Sequence, residues 1–246
     1  IVDSVIYQSG SNIGIGTTAP NNTFQVVSLI DFNSKGNTRL GYQAGLNITA
    51  KSENSTFIGY QAGYWDAALS TDDAFANVAV GWHSLYANTQ GYQNVAIGAP
   101  ALSDNTTGYN NVALGTMALD NNTTGNRNAA VGTKALAGNV GGNSNVALGE
   151  EAGQYTAAAA FNETGDYNVF LGVGTRPLAD NDQNEIVIGY NAIGLGSNTA
   201  VLGNDRIVAT AMKGNVGVGT TVPLARLQLG LDTPNAMPIT GGDLFV

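Results

Sequence analysis

The sequence predicts an all-β fold, a parallel β-solenoid built on a 17-residue coil, and three observations carry that prediction. A five-residue unit, Asn-Val-Ala-(Val/Ile/Leu)-Gly and its Asn-Ala-Ala-Val-Gly variant, places glycines at Gly81, Gly98, Gly115, Gly132 and Gly149, four equal 17-residue steps. Within each unit apolar side chains alternate with period two, the pattern of a short strand. Charged residues make up only 11% of the chain, hydrophobic ones 43%, and 33 of the 246 residues are glycine. An ordinary domain carries about 25% charged residues; here turn formers have replaced them. The chain is too apolar for disorder and too rich in glycine for helices.

Looser copies of the unit extend the array in both directions, ending at Gly41, Gly59, Gly172, Gly189 and Gly203, with steps of 18, 22, 23, 17 and 14. The chain therefore divides into a β segment over residues 1–30, a repeat array over 31–209 and a second β segment over 210–246. A single coil cannot bury its own apolar face, whereas stacked coils share a continuous core.

Each repeat position has an expected role. The last residue before each glycine (Val80, Ile97, Leu114, Val131, Leu148, Leu171 and Ile188) is expected to form a buried hydrophobic ladder. The residue before it is mostly alanine (Ala79, Ala96, Ala113, Ala130, Ala147), a size that lets another sheet or another subunit approach. The glycine is expected at a corner, where positive φ or close backbone passage is required. The asparagine that starts each unit is expected to tolerate the left-handed region and to stack its amide on the next coil. After the glycine come two variable residues, then alanine (Ala101, Ala118, Ala135), then leucine or glycine, then a polar turn such as Ser103 to Gly108.

These units, followed by two residues and alanine, resemble the head repeats of trimeric autotransporter adhesins of the YadA type. That resemblance implies a left-handed parallel β-roll and a homotrimer. The flanks carry a second pair of motifs, Asn12-Ile-Gly-Ile-Gly-Thr-Thr-Ala-Pro20 with Phe24-Gln-Val26, and Asn215-Val-Gly-Val-Gly-Thr-Thr-Val-Pro223 with Leu227-Gln-Leu229. They are similar to shaft segments of phage tail fibres and large bacterial surface proteins. Neither a coiled-coil stalk with a membrane barrel nor a C-terminal chaperone domain is present in these residues, and the chain is expected to be the mature or excised part of a larger extracellular fibre.

A net charge of −9 disfavours nucleic acid and anionic membranes as direct partners, and no apolar run is long enough to insert as a helix. With no cysteine and one histidine, His83, nitrogen and sulfur metal sites within a chain are not expected, and no nucleophile and orienting group accompany His83. Carboxylates at Asp66, Asp72-Asp73, Glu150-Glu151, Glu163 with Asp166, and Asp180 with Asp182 raise glycan hydrolysis by a carboxylate pair. They also raise weak calcium binding. Their place in polar turns favours local backbone bonding instead. No enzyme and no obligatory cofactor is expected.

Two coils are oversized. The 22-residue step surrounds Tyr64, Trp65, Asp66 and Phe75, and the 23-residue step surrounds Tyr155, Phe161 and Tyr167. Insertions in a solenoid form flanking loops, where recognition residues concentrate, and aromatic anchors dominate binding energy. These seven residues are therefore the expected contacts to a receptor, a cell-surface glycan or a protein. The expected function is a structural and adhesive segment of a trimeric fibre on a cell surface or virion tail. The alternatives are a glycan-degrading tailspike with carboxylates between subunits, and an ice-binding solenoid, for which Thr106-Thr107 and Thr123-Thr124 supply few rungs.

Overall fold

Each strand of the repeat array is the three-residue segment immediately before a corner glycine, because three residues suffice to alternate once before glycine bends the chain. The computed structural model describes residues 6–9, 12–15, 24–26, 30–32, 36–48, 52–65, 74–207, 216–218 and 227–229. Four strands come first: β1 (Ile6–Ser9), β2 (Asn12–Ile15), β3 (Phe24–Val26) and β4 (Ile30–Phe32). Ten follow in the array: β5 (Thr38–Leu40), β6 (Thr56–Ile58), β7 (Val78–Val80), β8 (Val95–Ile97), β9 (Val112–Leu114), β10 (Ala129–Val131), β11 (Val146–Leu148), β12 (Val169–Leu171), β13 (Ile186–Ile188) and β14 (Ala200–Leu202). These ten pair in sequence order, all parallel and in register, as Ala96 on Ala113 and Ala113 on Ala130 illustrate. The result is an all-β solenoid of about nine turns. Strands β1 to β4 continue the same sheet, with β4 antiparallel to β5.

The chain forms two compact units, Ile1–Asn204 and Asp205–Val246. The second contains β15 (Val216–Val218) paired in parallel with β16 (Leu227–Leu229). Its register, Val216 on Leu227, repeats the parallel pairing of Ile13 on Phe24 in the first unit. The two similar flank motifs thus make the same local structure.

The corner glycines from Gly41 to Gly189 all sit at φ between +131° and +141°, a region closed to side chains. At Gly115 an added Cβ would lie 2.5 Å from the carbonyl oxygen of Gly132 one coil on. Glycine is required here both for its torsion and for the close stacking of successive corners.

The core corrects one expectation about the strands. The middle residue points into the coil: Ala79, Ala96, Ala113 and Ala130 are fully buried, as are Phe57, Phe170 and Val187 at the same position. The Val/Ile/Leu ladder does stack in register, but on the outer face, where Ile97 is 42% exposed and Leu148 54%. The interior is narrow. It is filled from the opposite wall by Ala101, Ala118 and Ala135 and by Leu85, Leu102, Leu119 and Leu136, all fully buried, which leaves room for only a methyl group on the strand side. Ala113 is therefore not available to a neighbouring subunit.

Those four leucines occupy the left-handed region, at φ 49–51°, where a side chain costs about 1–2 kcal/mol. Packing holds them there. Glycine takes the same repeat position beside the inward phenylalanines: Gly63 in the coil of Phe57, and Gly45 and Gly153 in the coils preceding Phe57 and Phe170. A Cβ on Gly45 would come within 2.8 Å of Phe57, one on Gly153 within 2.5 Å of Phe170, and one on Gly63 would overlap the Phe57 ring. An inward phenylalanine therefore needs glycine on the far wall of the coil before it, and the coil of Phe57 has glycine in its own far wall as well.

The strand-opening asparagines form a fully buried ladder, with a geometry that differs from the expectation. Their Oδ1 atoms accept the backbone N–H of the equivalent residue one coil on, from Asn77 to Asn94, Asn111, Asn128, Asn145 and Asn168, at 2.9–3.0 Å. Each Nδ2 donates to a turn carbonyl, as Asn111 does to Gly125 at 2.8 Å. The left-handed residue is the preceding one (Ala76, Gln93, Asn110, Arg127, Ser144, Tyr167), at φ 55–60°. A second buried ladder links Asn88, Asn105, Asn122 and Asn139 through their amides at 2.8–2.9 Å. Burying so many polar groups is tolerable because these amides find their partners from coil to coil, apart from Asn139 Oδ1 at the end of the second ladder, which accepts no hydrogen bond.

Candidate functional site

Two surfaces stand out, and both follow from the stacking of equivalent positions. The first lies just past the corner on the three coils that begin at Gly41, Gly59 and Gly81. The residue after the corner points outward and is Tyr42, Tyr60 or Trp82, exposed to 55%, 46% and 51%. The next residue, Gln43, Gln61 or His83, takes φ of 54–55°. Tyr64 and Tyr86 occupy the fifth position, and Trp65 follows Tyr64.

In-register stacking brings these side chains into one connected cluster. Tyr42 stacks on Tyr60 at 5.4 Å between ring centroids, Tyr60 on His83 at 5.9 Å, and Trp82 on His83 at 3.8 Å with planes 7° apart. His83 also stacks on Tyr86 at 4.5 Å, and Tyr86 on Tyr64 at 5.1 Å. Trp65 meets Tyr64 edge to face at 5.2 Å. A polar row runs beside the rings: Gln61 Nε2 donates to Gln43 Oε1 at 2.6 Å, and Gln61 Oε1 lies 2.7 Å from His83 Nε2. With Gln61 so oriented, His83 carries its proton on Nε2. Burial within the stack holds the imidazole below its ordinary pKa, which favours the neutral ring.

The second surface is the outer face of the sheet. From β7 to β14 its outward residues are exclusively Val, Ile, Leu or Ala. Seven steps of about 4.8 Å make this stripe about 34 Å long. Val146, Leu148, Ile186 and Leu202 are 39–59% exposed along it.

The chain matches no protein-family model, no curated protein and no solved structure.

The residues expected to contact a receptor do not form one site. Tyr64 and Trp65 join the aromatic cluster. Asp66 lies outside the described residues. Phe75 sits in the turn before β7 and heads a separate stack, 5.3 Å from Tyr92, which lies 4.8 Å from Tyr109, with the Arg127 guanidinium 5.5 Å from the Tyr109 ring. Tyr155 and Phe161 stack at 5.3 Å across a small antiparallel bridge. Tyr167 is 62% exposed in the column of left-handed residues.

Sequence reasoning missed Tyr42, Tyr60, Trp82, His83 and Tyr86 as partners of Tyr64 and Trp65. Their signal was present as aromatic residues at the same offset from three consecutive corner glycines.

The turn carboxylates are engaged locally. Asp180 Oδ1 accepts from the backbone of Glu163 and Thr164 at 2.8 and 2.9 Å. Burial pushes its pKa up, but these donors outweigh burial and leave it below the ordinary value. Asp166 Oδ1 accepts from Asn143 N at 2.6 Å, Asp182 accepts from Ala179 N and Ser197 Oγ, and Glu151 lies 3.6 Å from Lys134 Nζ. Asp72 and Asp73 lie outside the described residues. Among the described residues no group of three or more His, Cys, Asp or Glu side chains is placed to hold a metal ion, and no helix is long and apolar enough to cross a membrane. The Thr89, Thr106 and Thr123 hydroxyls donate to carbonyls of the next coil at 2.9–3.1 Å, which commits their protons to bonds between coils.

Proposed function

We propose that this chain is a structural and adhesive segment of an extracellular homotrimeric fibre, on a cell surface or a virion tail, that binds a surface or matrix receptor. The observation that carries this reading is the uninterrupted apolar stripe on the outside of the sheet. Water-facing strands normally alternate apolar and polar residues, and long exposed apolar patches mark interaction surfaces. Burying a Leu or Ile that stands half exposed contributes about 1 kcal/mol, taking half the value for a full side chain, and the stripe repeats that gain at every coil.

Parallel copies laid side by side would bring equal positions together along the whole stripe, because the coil repeat is the same in each. The resemblance to YadA-type heads favours three chains over two. The flank motifs, which resemble fibre shaft segments, favour a fibre over a free-standing domain. The receptor-facing surface is then the opposite side of each coil, which the stripe leaves free.

The mass of the intact chain by light scattering tests this. Three times 25.2 kDa is expected, falling to one chain when Leu114→Glu and Leu148→Glu are combined. A single-chain mass for the unaltered protein at micromolar concentration would overturn the trimer.

A further inference from the structure

We propose that the aromatic cluster on the first three coils is a binding site for a neutral carbohydrate chain lying along the solenoid axis; the inference rests on the adhesive reading and names its ligand class. A sugar ring offers an apolar face of C–H groups and a rim of hydroxyls, and the cluster offers the counterpart of each. Its tyrosines stack face to face along the axis, so most of their ring faces are covered by one another. The indoles differ. Trp82 is stacked on one side by His83 and is 51% exposed, while Trp65 meets its neighbour edge to face and is 46% exposed. Both keep ring surface available for a sugar.

Beside the rings stand the amides of Gln43 and Gln61 and the phenols of Tyr42 and Tyr60, donors and acceptors suited to hydroxyl groups. On the first two coils these groups repeat about 4.8 Å apart, and Trp82 and His83 take their places on the third, so an extended chain would meet a ring and a polar group at each step. Stacking also immobilises the rings before any ligand arrives, which lowers the entropy lost on binding.

Charge selects the ligand class. The cluster of Tyr42, Gln43, Tyr60, Gln61, Tyr64, Trp65, Trp82, His83 and Tyr86 contains no carboxylate, lysine or arginine. On a chain of net charge −9, an acidic glycan would need cationic partners that these residues do not supply. A neutral one does not need them.

Trp65 and Trp82 are the two tryptophans of the chain, so intrinsic fluorescence reads this site directly. The intact oligomer would be titrated with hexamers and dimers of β-1,4-linked N-acetylglucosamine, β-1,4-linked glucose and α-1,4-linked glucose. Saturable fluorescence change is expected with at least one hexamer, at an affinity at least about tenfold above its dimer, because the occupant spans several coils. By calorimetry Trp82→Ala should weaken that hexamer at least tenfold without changing the oligomer mass.

No saturable change with any of the six sugars would overturn the proposal, as would equal affinity for dimer and hexamer. Full binding by a Trp65→Ala/Trp82→Ala variant would overturn it too, and a loss of oligomer mass on Trp82→Ala would reassign the patch to contacts between copies. Sugar binding by a chain that proves monomeric would defeat the trimer and leave this site standing. A trimer that ignores all six sugars would do the reverse.

Discussion

Replacing Ala113 by Phe and Leu119 by Gly, singly and together, tests how the coil is filled. Ala113 and Leu119 are both fully buried and stand on opposite walls of one coil. Phe at 113 has no room while Leu119 stays, and overpacking costs about 1–3 kcal/mol. Leu119→Gly empties the leucine volume at a cost of about 3–5 kcal/mol. It also relieves a left-handed leucine at φ 51°, returning about 1–2 kcal/mol, so the net single effect is about 1–4 kcal/mol. In the double variant the ring fills the vacated space, as Phe57 does beside Gly63, and much of both penalties disappears. Leu102 in the preceding coil still presses on the ring, since Phe57 has glycine there as well, Gly45. A loss of about 2 kcal/mol is expected for the pair, below the sum of the two measured single losses, which lies within about 2–7 kcal/mol if the effects simply add. Urea denaturation followed by circular dichroism measures all four proteins. Strict additivity would refute the claim that these residues share one volume, and adding Leu102→Gly should bring no further recovery if that claim is wrong.

Gly115→Ala should destabilise by about 3 kcal/mol, from forbidden torsion and contact with Gly132, whereas Thr116→Ala next to it should change stability by less than about 0.5 kcal/mol. Asn111→Ala strips a partner from Gly125 O and from Asn128 N and should cost about 3 kcal/mol in the same assay, because orphaned buried groups cost about 1–3 kcal/mol each. Burial raises the carboxyl of Glu185, and likewise that of Asp120, above its ordinary value. The native state then holds protons that the unfolded chain has released, so this contribution is full below the ordinary carboxylate range and is lost as pH rises through the raised value. Urea midpoints across a pH series should show that decline, and Glu185→Gln, which keeps an acceptor for Gly196 N, should flatten its share. Asp180 has the opposite sign: its stabilisation holds above the ordinary value and is lost as pH falls.

Much of the fold was legible because glycine at a fixed period fixes both the strand and its end. The ten strands of the array lie where the repeat unit put them, and the irregular steps fall between β5 and β6, β6 and β7, β11 and β12, and β13 and β14. What did not follow was which face is inside. Hydrophobicity ranks Leu114 above Ala113, so the larger residue was expected in the core. The deciding quantity was volume: with Leu119 reaching in from the far wall, only a methyl group fits at 113. The exchange of leucine for glycine at positions 45, 63 and 153 held that information, since it accompanies Phe57 and Phe170.

The candidate site was only partly legible for a related reason. Attention to insertion length singles out Tyr64, Trp65, Phe75, Tyr155 and Phe161, which the fold distributes over three places. The cluster that does form depends on offset from the corner glycine, which joins Tyr42, Tyr60 and Trp82 although the two steps between them are unequal, 18 and then 22.

The four equal steps between Gly81 and Gly149 make this stretch a ruler. Excising residues 112–128 would leave Asn111 joined to Ala129, and every column would close again: asparagine under asparagine, alanine under alanine, leucine under leucine. Each coil touches only its neighbours, so the aromatic coils on one side and the 23-residue step on the other would not register the change. The molecule would simply be shorter by about 4.8 Å. Gene duplication or deletion in units of 51 bases can therefore tune the distance between the two ends of the array without redesigning either of them.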